Sequence, residues 1–218
     1  MNDRNLFISV LLACVVLTGC ATSRSEVQLG APTAVTPAVP SKNRNVVIRT
    51  VTDARNFEEA PSDPSIPSLG HEGSAAASAE LKARAIARKR NTFGKALGDV
   101  TLQEGQTVAG VVRSNLAIAF QQAGFTVTPE GAAGDSPLVV DVSIKQFWGW
   151  MTPGFWALTF ETKIETDLDF RSAATPLTIK AYAQDSGQLG TDSAYIGIVS
   201  KALDAYRSEA TMRLQAIR

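Results

Sequence analysis

Two long stretches of alternating hydrophobic and polar residues constrain the fold of this chain more than any other feature. The first stretch keeps its hydrophobic side chains in one alternating phase: Leu138, Val140, Val142, Ile144 and Trp148. The second, from about 155 to 170, does the same: Trp156, Leu158, Phe160, Ile164, Leu168 and Phe170. Because side chains of a strand point alternately to the two faces of a sheet, each stretch predicts a strand with one buried face. The six residues between them, 149–154, suit a hairpin loop.

Two other segments carry hydrophobic residues at spacings of three and four, which predicts amphipathic helices. The first helix is predicted from 108 to 123, and Gly124 follows it as a C-terminal stop. Its apolar stripe consists of Val108, Val111, Val112, Leu116, Ala119, Phe120 and Ala123. The second helix is predicted from about Ser193, with a stripe of Ile196, Val199, Leu203, Tyr206, Ala210, Leu214 and Ile217.

Shorter patterns fill in the rest of the chain. Strands are predicted at 45–51, near 125–127 and at 177–184, where β-branched and apolar residues cluster. Residues 56–75 are rich in turn formers, which predicts a long irregular excursion of the kind that is usually functional or mobile. Residues 76–90 are rich in helix formers and predict a further helix.

Together these elements predict a single α+β domain at 44–218. We expect a two-layer arrangement, in which a mainly antiparallel sheet of about four or five strands packs against the two amphipathic helices. The chain has two cysteines, Cys14 and Cys20, and no disulfide is expected within the mature domain. The predicted domain at 44–218 is long enough to form one hydrophobic core.

The first twenty residues have the layout of a secretory signal. An apolar run from 6 to 17 is too short for a membrane span, because twelve helical residues extend about 18 Å against the ~30 Å of a hydrocarbon layer. The run closes on Leu17-Thr18-Gly19-Cys20, which resembles a bacterial lipobox. The resemblance implies a signal peptide at 1–19, acylation of Cys20 and, since Ala21 follows, the periplasmic face of the outer membrane. The alternative is an ordinary secretory signal with an incidental cysteine.

Residues 20–43 contain prolines and glycines without an apolar period, which predicts a flexible linker. A random coil of that length would hold the domain about 25 to 30 Å from its anchor. The lipid on Cys20 is thus the expected membrane contact. The chain carries 21 basic and 21 acidic residues, and this balance gives no reason to expect a nucleic-acid partner.

Several of these segments resemble the YajG-type bacterial lipoproteins and, more distantly, the N-terminal domain of TolB. The resemblance rests on the lipobox, on the strand NVVIRTVTDAR at 45–55, on the unit TVAGVVRSNLAIAFQQAGFTV at 107–127 and on VVDVSIKQFW at 139–148. It implies an outer-membrane-anchored protein of undefined role. Cys20 is the only site residue that it implies.

The ten residues FWGWMTPGFW, at 147–156, contain all three tryptophans of the chain. Trp148 and Trp156 continue the apolar faces of their strands and are predicted to pack in the core. The remaining large side chains fall on the other face or at the loop, and we expect them to form an exposed patch that binds a protein, lipid or membrane: Phe147, Trp150, Met151 and Phe155. The alternative is a hairpin that curls and buries its end.

The clusters of charged residues are interpreted as structural features and not as binding sites. Five basic residues, Lys82, Arg84, Arg88, Lys89 and Arg90, predict a solvated helix face in preference to a site for anionic lipid or polymer. Four acidic residues, Glu161, Glu165, Asp167 and Asp169, line one strand face with Lys163, which predicts a solvated face and no metal site. Asp53 and Arg55 are expected to form a structural ion pair.

No catalytic residues, metal or cofactor are expected. The only histidine is His71, and neither an S-x-x-K motif nor a phosphate-binding glycine motif occurs. The favoured function is a non-enzymatic binding or envelope-assembly module with an envelope protein partner. Two alternatives remain open: a carrier or auxiliary subunit that holds an apolar ligand in lipid transport, and a hydrolase that uses His71.

Overall fold

The computed structural model describes residues 24–33, 39–70, 73–91, 95–132, 136–171 and 175–217. Within these ranges the chain forms eight strands and four helices, which confirms the α+β class. The strands are β1 (Ser25–Val27), β2 (Asn45–Asp53), β3 (Ala85–Arg90), β4 (Ala96–Leu102), β5 (Thr126–Val127), β6 (Leu138–Pro153), β7 (Leu158–Phe170) and β8 (Leu177–Gly187). The helices are α1 (Gly73–Ala76), α2 (Ala79–Arg84), α3 (Val108–Gln122) and α4 (Asp192–Gln215).

The sheet is built around β6, and among the described residues it is larger and more mixed than the predicted four or five mainly antiparallel strands. One edge of β6 pairs with antiparallel β7, which pairs in turn with antiparallel β8. The other edge is divided between two parallel neighbours. β2 pairs with β6 over 138–144, and β3 joins at Gly149, followed outward by β4 and β1. The sheet therefore forks along this edge of β6.

Helices α3 and α4 cover one face of the sheet, as the two apolar stripes predict. The side chain of Thr107 caps α3 by accepting a hydrogen bond from the Gly110 N–H at 3.1 Å. Gly124 follows the helix at a φ of +91°, and a Cβ there would lie 2.7 Å from the Pro40 carbonyl oxygen. The stripes enter a continuous core in which Val112, Phe120 and Val199 are fully buried.

A bulge in β6 changes which side chains face the helices. Alternation holds up to Ile144, but the register with β7 shifts between Ile144 and Gln146. One extra residue in a strand reverses the alternation beyond it. Phe147 therefore joins the core beneath the helices, while Trp148 belongs to a separate cluster. The prediction that Trp148 is buried in the core is confirmed, but it packs in this separate cluster and not in the core beneath the helices.

The second cluster lies under the irregular excursion. It unites Trp148 and Trp150 with Leu69, Ala77 and Ala85. The ring of Phe57 meets that of Trp148 edge to face, with 5.9 Å between centroids. The irregular excursion predicted at 56–75 is confirmed for residues 56–70, which lie against the two tryptophans instead of forming a free loop, but residues 73–75 belong to helix α1.

The helix predicted at 76–90 is only partly correct. Helix α2 ends at Arg84, and the next residues form β3, in which Ala85, Ile86 and Ala87 are all fully buried. Alanine and arginine favour a helix locally, but the pairing of β3 with β4 and β6 overrides that weak preference. Strand β4 has no counterpart among the predicted elements.

Part of the predicted linker at 20–43 belongs to the folded domain. β1 pairs with β4 in parallel, from Ser25 with Val100 to Val27 with Leu102. Val27 and Leu29 are 4% and 2% exposed. Lys42 also donates a hydrogen bond to the Gln215 carbonyl at 2.9 Å, at the C-terminal end of α4. A flexible spacer over this whole range is therefore wrong. Among the helices of the described residues, none has the length and apolar content needed to cross a bilayer.

Candidate binding surface at the aromatic hairpin tip

The β6–β7 hairpin ends in four residues, 154–157, which we call the aromatic tip. The turn is closed by a hydrogen bond from the Gly154 N–H to the Ala157 carbonyl at 2.9 Å. A Cβ at Gly154 would lie 2.6 Å from that carbonyl oxygen, so this close turn requires glycine. Phe155 is 90% exposed and Trp156 is 85% exposed. Their rings stack edge to face with centroids 4.7 Å apart.

The surroundings of the tip are uncharged in sequence. Residues 146–160 include no Asp, Glu, Lys or Arg, and neither do residues 186–191. The second stretch contains Leu189, which is 71% exposed. Because Leu158 pairs with Gly187, the tip and the loop with Leu189 project from the same end of the sheet. Three exposed large apolar side chains thus share that end, an arrangement typical of an interaction surface.

The structure buries three of the four residues predicted to form the exposed patch. Phe147, Trp150 and Met151 are 0%, 8% and 7% exposed, so the expectation that they form an exposed surface is wrong. Phe155 is exposed as expected. Trp156, which was predicted to lie in the core, is exposed because β7 begins only at Leu158 and strand alternation does not extend back into the turn. The exposed aromatic pair is therefore Phe155 with Trp156.

A hydrogen-bond network fixes the base of the tip. The indole N–H of Trp150 donates to Glu161 Oε2 at 2.9 Å, and the Thr152 hydroxyl donates to the same oxygen at 3.1 Å. The hydroxyl of Tyr182 donates to Glu161 Oε1 at 2.6 Å, and this bond raises the pKa of Tyr182 to about 12. Glu161 thus connects β6, β7 and β8 just below the exposed pair.

The other acidic residues of β7 lie on an accessible face of the sheet, as the alternation predicts. Glu165 forms an ion pair with Lys180 at 3.1 Å, and Asp167 lies 4.0 Å from the ammonium of Lys145. These partners stand on neighbouring strands of an accessible face. Within the described residues, Asp, Glu, His and Cys form no group of three or more that could hold a metal ion.

Arg55 occupies the fork of the sheet. Its ion pair with Asp53, at 2.6 Å, confirms the prediction from sequence. The fully buried guanidinium also donates to the carbonyls of Ala85 at 2.7 Å and Phe147 at 3.0 Å. A third carbonyl, that of Lys82, accepts at 2.7 Å. Arg55 therefore joins β2, β3 and β6 where β2 leaves the sheet, which is a structural role.

The basic cluster is not the predicted solvated helix face, because β3 carries three of its members. Arg84 pairs with Glu26 at 3.1 Å, and Lys89 pairs with Asp192 at 2.6 Å. Arg88 donates to the Ser68 hydroxyl at 3.1 Å. These cations are half-buried and engaged within the protein. They offer little to an anionic ligand.

Several shallow clefts lie at the rim of the helical face in the described part of the chain, and two of them are considered for a ligand. One, of about 520 Å³, lies between β2 and α3 and is lined by Arg49 and Arg113. Arg49 is paired with Asp141, and Arg113 donates to the backbone carbonyls of residues 48 and 49. The other, of about 260 Å³, lies beside Leu29 and the start of α3. Both predicted residues with possible chemistry, Cys20 and His71, lie outside the described residues.

Comparisons with known proteins give only distant similarity. No protein-family model matches the chain, and no curated protein matches it. One similar solved structure is an uncharacterised protein, with a TM-score of 0.43 and 10% identity, covering 91% of this chain and 99% of that one. Another is XCC0632 from Xanthomonas campestris, of family DUF330, with a TM-score of 0.41 and 12% identity, covering 89% and 93%. Similarity at this level assigns no function.

Proposed function

We propose that this chain is an outer-membrane lipoprotein held at the periplasmic face by acylated Cys20, and that its domain is a non-enzymatic binding or envelope-assembly module. The observation that carries the anchoring is the lipobox-like Leu17-Thr18-Gly19-Cys20 at the end of a short apolar run. Membership of the YajG-type lipoproteins is part of this proposal. More than one acyl chain on Cys20 would give stable anchoring.

The binding role is supported by the aromatic tip. Phe155 and Trp156 together expose a large apolar area at the end of a hairpin whose base is fixed by Glu161. Exposed aromatic side chains on a rigid support are the usual anchors of recognition, because little conformational entropy is lost when they bind. The tip is therefore the surface through which we expect the domain to act.

A carrier function finds less support in the packing. The interface between the sheet and the helices is filled by side chains such as Phe120, Ile144 and Val199, each fully buried. The two clefts described above lie at the rim and include charged or polar groups. The binding module is the function that these observations favour.

Metabolic labelling with a palmitate analogue, followed by separation of the membranes, tests the anchoring. The native chain should take up label and fractionate with the outer membrane. Cys20→Ser should take up none and appear in the soluble periplasmic fraction. Cys14→Ser is the matched control and should behave as the native chain does. Unchanged labelling and fractionation of Cys20→Ser would refute the proposal.

A further inference from the structure

One row of paired residues crosses the sheet from β1 to β8. It consists of Ser25, Val100, Ala87, Gly149, Thr162 and Ala183. Because its members are paired across the sheet, distances along the strands toward either end of the sheet can be measured from this row. Its first member, Ser25, begins β1, and its fourth, Gly149, lies four residues before the end of β6.

The strand directions place the N-terminal segment and the aromatic tip at the same end. β1 is parallel to β4, β4 is antiparallel to β3, and β3 is parallel to β6. β1 therefore runs opposite to β6. The chain that precedes Ser25 connects to the sheet at the end where β6 leads into residues 154–157.

The N-terminal segment and the aromatic tip can also extend to similar distances from this row. From Gly149, six residues of β6 and the turn lead to Phe155, a length of at most about 20 Å at about 3.3 Å per strand residue. From Ser25, five residues lead back to Cys20, a length of at most about 18 Å. An anchor at Cys20 and the rings of the tip can therefore meet the same plane.

We infer that the occupant of the aromatic tip is a lipid surface, the same bilayer leaflet that receives the acyl chains of Cys20. This inference rests on the lipid anchoring proposed above. Phe155 and Trp156 would enter the interfacial region of that leaflet, where the amphipathic indole of tryptophan is favoured. Leu189, on the adjacent loop, adds apolar surface at the same end.

The short tether favours the leaflet over a separate protein partner. Once the lipid is inserted, contact between tip and membrane becomes an intramolecular event with a high effective concentration. A two-residue apolar contact that is weak by itself then becomes significant. The absence of formal charge in residues 146–160 and 186–191 removes the desolvation cost that ionised groups would add.

Two attachments would also fix the orientation of the domain. β1 and β6 are separated by β4 and β3, so the N-terminal segment and the tip leave the sheet about 14 Å apart, at about 4.8 Å per strand spacing. The strands would then stand steeply on the membrane, with the opposite end of the sheet pointing away from it. A single flexible tether would impose no such orientation.

Fluorescence quenching by brominated lipids tests the inference on the full chain. The lipidated protein is reconstituted into vesicles of phosphatidylethanolamine and phosphatidylglycerol that contain lipids brominated near the head group. The chain has three tryptophans, and Trp148 and Trp150 are buried beneath the excursion. We expect quenching of the Trp156 share of the emission and its loss in Trp156→Phe. Trp150→Phe is the matched control and should retain the quenching.

Chemical coupling separates failure of the inference from failure of the anchoring. In the full chain with Cys14→Ser, the unacylated Cys20 thiol is the sole thiol and can be coupled to maleimide-lipid vesicles. Trp156 should be quenched in this preparation even if cells do not acylate Cys20. Coupled protein whose Trp156 emission is unaffected by brominated lipid would overturn the inference, whatever the labelling experiment gives. Crosslinking of position 155 to a protein and not to lipid would overturn it as well.

The variants report on the tip only if the domain remains folded. Because Phe155 and Trp156 are exposed, the double variant Phe155→Ser with Trp156→Ser should keep the native thermal midpoint while losing the lipid contact. A large fall in the midpoint would show that the rings support the fold, and would contradict an exposed membrane contact.

Discussion

Arg55 is the residue on which the fork of the sheet depends most directly. Its side chain is fully buried and serves Asp53 and three backbone carbonyls. Arg55→Met would leave those acceptors without their donor and Asp53 without its cation. We expect a loss of about 3 to 5 kcal/mol in the free energy of unfolding, measured by urea denaturation.

Arg49→Met is the matched control for Arg55. Like Arg55, Arg49 forms an ion pair. Its partner is Asp141 on the neighbouring strand β6, and both side chains are partly exposed. Its replacement should cost much less than that of Arg55, since water can solvate the partner that remains. Equal losses in the two variants would contradict the role of Arg55 at the fork.

Trp150 and Trp156 should respond oppositely to truncation although both belong to the same hairpin. Trp150 is 8% exposed and its indole N–H is bonded to Glu161, so Trp150→Ala should lower stability by about 3 to 5 kcal/mol. Trp156→Ala should change it by less than about 0.5 kcal/mol. Thermal or urea unfolding of the two variants distinguishes the core residue from the surface residue.

Tyr206 gives the protein a dependence on alkaline pH. Burial raises the pKa of its hydroxyl, which is 2.7 Å from the Thr166 hydroxyl, and burial raises the pKa of Tyr195 to about 12. In the unfolded chain both ionise near their ordinary pKa of about 10. Below that pH their contribution is fully present. It is lost as the pH rises from there toward the folded-state values, because the unfolded chain releases protons first.

Urea denaturation from about pH 8 to pH 11 measures this effect. The free energy of unfolding should fall above about pH 10, and Tyr206→Phe should show a shallower fall than the native protein. An identical pH dependence in the two proteins would exclude Tyr206 as a contributor.

Arg55 has one contact that a local pattern predicts and others that it does not. The pairing of Asp53 with Arg55 is local, since Asp53 ends β2 and Arg55 follows two residues later, and the sequence predicts it. The bond from Arg55 to the Phe147 carbonyl joins residues 92 positions apart. It exists because two strands share one edge of β6, and no local pattern records that arrangement.

Strand β1 shows that the folded domain begins well before residue 44, where the sequence predicts its start. Leu29 follows it and is 2% exposed, packed in the main core. Leu29→Ala should therefore cost about 2 to 5 kcal/mol of unfolding free energy. In a flexible linker the same change would have almost no effect. Gln28→Ala, at the neighbouring exposed position, is the matched control and should be nearly neutral.

The helices and long strands were predictable because their signals are local and periodic. The stripes of α3 and α4 and the alternation of β6 and β7 each extend over many residues, with little interruption. The bulge near Lys145 was not predictable, since it has no distinct signature in the composition of the strand. It nevertheless exchanges the two sheet faces for every later side chain of β6. For the same reason the burial of Phe147 and Met151 was missed.

Short strands escaped prediction for another physical reason. β1 has three residues, and β3 and β4 have six and seven. Their stability comes from partners distant in sequence, such as the pairing of Ser25 with Val100. A linker composition around β1 and a helix-forming composition in β3 therefore misled the local interpretation. The sequence pattern predicts the correct hairpin for the candidate surface, but only Phe155 of the four predicted residues is exposed.

The length of the tether should control contact of the tip with the membrane. Inserting about 20 Gly and Ser residues between Cys20 and Arg24 would lower the effective concentration of the tip at the leaflet. We expect weaker quenching of Trp156 by brominated lipid, with the thermal midpoint unchanged. The matched control is the same insertion at Gly131, an exposed position in the short 3-10 turn at Glu130–Ala132, near the other end of the sheet. Undiminished quenching with the lengthened tether would argue that the tip binds without help from the anchor.

The direction in which β1 joins its tether also determines how the domain resists mechanical tension. Under the proposed anchoring, a pull between the membrane and the domain acts on Ser25 along the axis of β1. The hydrogen bonds between β1 and β4 are then loaded together, in shear, instead of being opened one after another like a zipper. A strand of three residues can thus hold the domain against forces that would peel a strand of the same length from its end.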